Sequence, residues 1–180
     1  MAWTVAKSAA DLSIRRIERT VGDGHSVAED IRAYLEQSRL FEKGGDLLQA
    51  YDQLVEGLAV YPESNELKHR AVLTLARAGA TKQAQREFER LGLGGVRNNE
   101  DILALGGRLL KDMSLAAHGH DRRRLAGESA AKYAQAYSLH HGYYPGINTA
   151  TMTLLAGGGL GENPRRRRAA QSEGRRCRKS

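Results

Sequence analysis

The chain has 180 residues, a net charge of +7 and a single cysteine. That length suits one ordinary domain. A lone Cys177 excludes an internal disulfide framework and any four-cysteine zinc site, and no apolar run approaches the ~20 residues that cross a bilayer. Residues 161–180 carry eight basic and two acidic side chains, so six of the seven net charges sit there. The pI of about 9.7 therefore describes a tail and not a basic fold. There are 25 Ala and 22 Leu against 12 Val plus Ile, a mix that favours helices and disfavours a large sheet. Lys7, Asp11, Arg15 and Arg16 interrupt the N-terminus, which lacks the apolar core of a secretory signal. These features predict a helical, cytoplasmic protein.

In chain order, residues 5–19 predict a helix carrying Ala6, Leu12, Ile14 and Ile17, broken at Gly22-Asp-Gly24. Residues 1–28 are expected to cap the first repeat. From residue 30 a repeat of 34 residues begins. Shifting the chain by that period places Phe41 on Leu75, Gly45 on Gly79, Ala50 on Ala84 and Leu54 on Phe88. Residues 30–43 put Ile31, Tyr34, Leu35 and Phe41 near one helical face. Gly44-Gly45 ends that helix and Asp46 caps the next. Residues 47–60 align Ala50, Leu54 and Leu58, and Pro62 stops the run.

A second hairpin is predicted over 65–78 and 82–91, with a Gly79-Ala80 turn and Thr81 as N-cap. A third begins at Asn99, with Ile102, Leu105, Gly106 and Leu109 on its first helix. His118 to Arg124 reads as a polar loop, followed by a helix over 125–140 with Ala130, Tyr133 and Tyr137. Pro145-Gly146 reads as a type II turn. Asn148 is expected to cap a last helix over 148–156, with Tyr143 and Tyr144 packing the turn against the preceding helix.

Paired helices of this period, with Tyr34, Phe41, Ala50, Leu54 and Pro62 in their places, resemble tetratricopeptide repeats. Gln37-Ser38 departs from the usual Leu-Gly, which returns at Leu105-Gly106, and Val96 stands where the second unit would close with Pro. Residues 101–116 and 133–157, with the signature Gly142-Tyr143-Tyr144-Pro145-Gly146-Ile147-Asn148, are also similar to the TRAF-binding repeat region of the apoptosis signal-regulating kinases and its bacterial relatives. The resemblance implies an all-α helical-hairpin solenoid of about three repeats over 29–156. It implies a non-catalytic binding platform within a signalling assembly.

In such solenoids the first helices line the concave face. Arg32, Arg39, Lys43, His69, Arg77 and Lys111 fall on outward positions of those helices, with Glu42 and Glu66 among them. Such a basic groove suits an acidic peptide or a C-terminal carboxylate, which Arg grips bidentately. The bland alternative is a solvated helix face.

Other chemistry is sparse. His118-Gly-His120-Asp121 is opposed as a metal site by Arg122, Arg123 and Arg124. The glycine-rich stretches lack the Lys-Ser/Thr of a phosphate loop. Neither a metal, a cofactor nor a catalytic set is expected. Residues 157–180 read as a disordered tail. Its Arg165, Arg166, Arg167 and Arg168 could bind nucleic acid or an anionic surface, or mark a frameshift or truncation product. The competing function is then binding through that tail, or service as the regulatory region of a larger signalling enzyme.

Overall fold

The computed structural model describes residues 26–157. Within that range the chain forms seven α-helices and one 3-10 turn, with no strand. The expected helix over 5–19 and the arginine tail, Arg165 to Arg168 included, lie outside the described residues. The chain divides into two compact units, with the boundary in the sequence between Gly95 and Val96.

The first unit holds two helical hairpins and a 3-10 turn. Helix α1 (Val27–Lys43) opens on a capping box, in which Ser26 Oγ accepts the Glu29 amide and Glu29 reaches back to the Ser26 amide at 2.7 Å. Gly45 takes φ of +83°, which only glycine adopts freely, and turns the chain into α2 (Leu47–Val60). Asp46 caps α2 through the Gln49 amide at 3.0 Å. Pro62 follows the end of α2, and Ser64 caps α3 (Asn65–Arg77). Helix α4 (Thr81–Arg90) starts one residue earlier than expected. Thr81 is its first helical residue, and Ala80 holds the cap position with no side-chain bond.

One core cluster of this unit is Leu35, Leu54, Leu67 and Ala71, with Ile31, Tyr34, Leu58 and Tyr61 packed around it. The single cysteine leaves no internal disulfide to help, so this burial carries much of the stability, at about 1.5–3 kcal/mol for each fully buried leucine such as Leu54 or Leu67. Ala50 and Ala84, related by the 34-residue shift, are both fully buried. Small side chains there let paired helices approach closely. Gly57 serves the same purpose: a β-carbon on it would lie 2.9 Å from the Tyr34 ring.

The second unit contains α5 (Glu100–Ala116), α6 (Gly119–His140) and α7 (Tyr143–Leu155). Asn99 caps α5 as expected, at 3.1 Å from the Ile102 amide. One core cluster here is Leu103, Ala104, Ala126, Ala130, Tyr133, Ala136 and Met152.

Here the structure corrects several expectations. His118 to Arg124 is not a loop. Apart from His118 at the cap position it is the first turn and a half of α6, supported by Arg124 pairing with both Asp121 and Glu128 at helical spacing. Pro145-Gly146 is not a type II turn. Both residues lie within α7, and Gly146 has no positive φ. A helix start tolerates proline as well as a turn does, because the first N–H groups have no intrahelical acceptor. Asn148 is likewise not a cap, since α7 begins five residues earlier and Gly142 holds the cap position. Tyr144 packs edge-on against Tyr133, but Tyr143 is 82% exposed and does not pack the segment against α6 as expected.

No residue of α7 is charged, and its outward side shows Tyr143, Tyr144, Ile147 and Leu154. Among the described residues no helix is long and apolar enough to cross a membrane.

Candidate partner-binding surface

Five of the six expected groove residues lie on the first helices of the two hairpins in the first unit. Arg32, Arg39 and Lys43 are spaced by seven and four residues on α1, so they share one stripe, and all three are exposed. His69 is half-buried on α3, and Arg77 is exposed near its end. Lys111 lies in the second unit, where its Nζ donates to Asn148 Oδ1 at 2.9 Å.

The strongest polar constellation is one that sequence spacing only half revealed. Glu42, near the end of α1, extends a carboxylate whose side chain is only 10% exposed. It accepts from Arg70 and Arg77 at 2.6 Å each and from Thr74 Oγ1 at 2.8 Å. Arg70, Thr74 and Arg77 follow i, i+4, i+7 spacing along α3, so one face of α3 delivers all three donors. Arg39 stands close enough to act electrostatically on Arg70.

One carboxylate therefore serves two guanidinium groups and a hydroxyl, with the charge of Arg39 acting on Arg70 beside it. Burial lowers the pKa of Arg70, Glu42 opposes the shift, and the neighbouring Arg77 and Arg39 add to it. Arg70 remains charged even so, because arginine does not lose its proton in proteins. Its buried Nε has no hydrogen-bond partner among the described residues. The site carries surplus positive charge and surplus donors, and it is held in place by Glu42. Arg70 was not among the expected groove residues. Its signal was present in the Arg70–Thr74–Arg77 spacing opposite an acidic residue one repeat earlier.

A second constellation surrounds the signature segment in the second unit. Asn148 is 5% exposed. Its Oδ1 accepts from Lys111, and its Nδ2 donates to the Tyr144 carbonyl at 2.9 Å. Tyr144 in turn meets the hydroxyl of fully buried Tyr133 at 3.3 Å. Burial raises the Tyr133 pKa, and the Tyr144 hydrogen bond adds to that. Lys111, Tyr144, Pro145 and Asn148 are thus tied into the packing of α5, α6 and α7, whereas Tyr143 projects outward.

Among the described residues no three His, Cys, Asp or Glu side chains converge on a point that could hold a metal.

Residues 46–153 match the model of the Tetratricopeptide Repeats-Sensor family. The chain belongs to this family. No curated protein and no solved structure matches it. The matched region runs from the cap of α2 almost to the end of α7, and so includes Arg70, Arg77, Lys111 and Asn148. Tetratricopeptide repeats generally bind protein partners and are typically non-catalytic. An all-helical repeat domain of this kind suggests a protein–protein interaction scaffold.

Proposed function

We propose that this tetratricopeptide repeats-sensor protein is a non-catalytic adaptor of a signalling assembly. It binds an acidic segment of a partner on the first-helix face of its N-terminal unit. The observation that carries this reading is the Glu42 cluster, where Arg70 and Arg77 share a single carboxylate and Arg39 adds its charge beside Arg70. Arg77 is 41% exposed in its side chain and Arg39 is exposed, so both present N–H donors to solvent. A partner carboxylate would meet a planar, pre-positioned fork and could accept two parallel bonds. Arg32 and Lys43, on the same stripe as Arg39, extend the positive field along α1 and would steer an acidic segment toward it. The likeness of 101–116 and 133–157 to the repeat region of the signal-regulating kinases supports the signalling context.

The test is fluorescence anisotropy with labelled Asp/Glu-rich peptides and the full chain at physiological salt. Binding should weaken in the Arg39→Glu variant, and further when Arg77→Glu is added. It should persist when Arg165 to Arg168 are all replaced by Gln. Binding that follows the four tail arginines and ignores Arg39 and Arg77 would overturn the reading in favour of an electrostatic arm.

A further inference from the structure

The first unit carries a pocket of about 430 Å³ between α1 and α2, lined by Asp30, Ala33, Tyr34, Gln37, Gln53, Val60 and Tyr61. Asp30, Ala33, Tyr34 and Gln37 follow i, i+3, i+4, i+7 spacing and so occupy one stripe of α1. Arg32, Arg39 and Lys43 run along the opposite side of that helix. The pocket is therefore separate from the basic surface, and its charge is of the other sign. Asp30 is the one charged residue among its lining groups.

Each polar group in this lining offers an acceptor. Asp30 Oδ2 accepts the Tyr61 hydroxyl at 2.6 Å, which fixes the carboxylate in place and leaves Oδ1 for another donor. Asp30 is not consumed by capping, because Glu29 performs that task at the start of α1. Gln53 donates its Nε2 to Glu56 at 3.0 Å, which orients the amide and keeps its carbonyl oxygen available as an acceptor. Gln37 is exposed and can turn its own carbonyl inward. Tyr34 and Tyr61 stand edge to face, with centroids 6.5 Å apart, and give the pocket two aromatic walls.

A fixed carboxylate oxygen, two amide carbonyls and two electron-rich rings call for a flat cation with many donors. A guanidinium has five N–H groups in one plane and a face that stacks on tyrosine. An ammonium has neither the plane nor the fork. The volume lies in the lower part of the range for small-molecule sites, about 300–1,000 Å³, which admits an arginine side chain with its adjoining backbone.

We propose that this pocket binds the guanidinium of an arginine side chain on a peptide segment. Asp30 and the two glutamine carbonyls accept its N–H groups, and its face stacks on one of the two tyrosine rings while the other, edge to face with the first, closes the side. The arginine comes from a partner peptide or from this chain's own Arg15, Arg16 or Arg19, which precede α1 in the sequence. The chemistry is the same in both cases.

The test is a titration of the full ¹⁵N-labelled chain with N-acetyl-arginine methylamide, followed by amide chemical shifts. Its neutral isostere, N-acetyl-citrulline methylamide, is the control. Saturable shifts confined to the neighbourhood of residues 30–37 and 53–61 are expected with arginine, with affinity roughly tenfold above citrulline. Asp30→Asn keeps a Tyr61 acceptor and should abolish the preference for arginine. Tyr34→Leu should weaken binding without restoring citrulline to parity, and Arg39→Glu on the opposite stripe should change nothing. Replacing Arg15, Arg16 and Arg19 by Gln separates the sources. Tighter binding of the probe identifies the chain's own arginines as occupants, and unchanged binding identifies a partner's. Equal binding of arginine and citrulline, or an undiminished preference in a normally folded Asp30→Asn variant, would overturn the proposal.

Discussion

Tyr133 packs so closely on Gly107 that a β-carbon there would lie 2.9 Å from two atoms of the ring. The same pair of segments is tied by Ser129 Oγ, which donates to the Gly107 carbonyl at 2.7 Å. Two effects compete in Gly107→Ala. Alanine raises helix propensity by up to about 1 kcal/mol. Overpacking a filled core costs about 1–3 kcal/mol. The ring is fully buried and has nowhere to move, so overpacking wins. Urea unfolding should show Gly107→Ala less stable than the parent by about 1–2 kcal/mol, and a more stable variant would refute the close packing.

Glu42→Ala removes the carboxylate that Arg70 and Arg77 share. The cluster is partly exposed, so solvent screens some of the loss, and a cost of about 2 kcal/mol is expected. The more specific expectation concerns anions. Arg70 and Arg77 are left without their shared counter-charge, with Arg39 adding to the positive field on Arg70, so sulfate should raise the melting temperature of Glu42→Ala more than that of the parent protein. Equal responses in differential scanning calorimetry would mean that the three guanidiniums do not act together.

Tyr61 is held neutral by its hydrogen bond to the Asp30 carboxylate, with smaller contributions from burial and nearby charge, and its pKa is pushed up to about 12. A raised pKa on this phenol means that the folded state prefers the protonated form. The resulting stability is complete below pH 10, the ordinary tyrosine value, and is lost as pH climbs through about 12. Tyr51 and Tyr133 shift upward as well, chiefly through burial, and add to the alkaline loss. Stability measured across this window should fall with pH in the parent and fall less steeply in Tyr61→Phe. Identical slopes would exclude the Asp30 bond as the cause.

Asn148 satisfies two part-buried groups with one side chain, the Lys111 ammonium and the Tyr144 carbonyl. Asn148→Ala strands both and should cost about 1–3 kcal/mol. Lys111→Met leaves the Tyr144 bond intact and should cost less. A double-mutant cycle should return a favourable coupling between the two positions of about 1 kcal/mol, and no coupling would show that the Lys111 bond contributes nothing.

Much of the fold was legible because helical hairpins are local. The 34-residue shift located Ala50, Leu54, Ala84 and Phe88 in the core, and each is buried. Asp46 and Asn99 were legible as caps because a capping side chain bonds an amide only three residues away. Pro145-Gly146 misled because that dipeptide serves a turn and a helix start alike. In the structure the Gly146 amide bonds the Gly142 carbonyl, and Gly146 packs so closely on Tyr137 that a β-carbon would lie 3.0 Å from the ring, a contact between two helices that local dipeptide chemistry does not contain. Asn148 misled for a similar reason, since its partner Lys111 is 37 residues away.

The candidate surface was half legible. Charge on the outer face of the first helices marked Arg39 and Arg77. It did not mark Arg70, which looks like one more surface arginine until Glu42 is placed 28 residues before it in the chain. Asp30 and Tyr61 were hidden in the same way, 31 residues apart.

The Glu42 cluster also has a consequence for the order of assembly. Helix pairing in the first unit closes through tight glycine turns, whereas the bonds from Glu42 span 28, 32 and 35 residues and join α1 to α3. Short-range contacts cost little chain entropy and form early, and long-range ones form once the hairpins present matched faces. The cluster is then expected to form after the transition state. Losing Glu42 leaves the rate of folding nearly unchanged and shortens the lifetime of the native state.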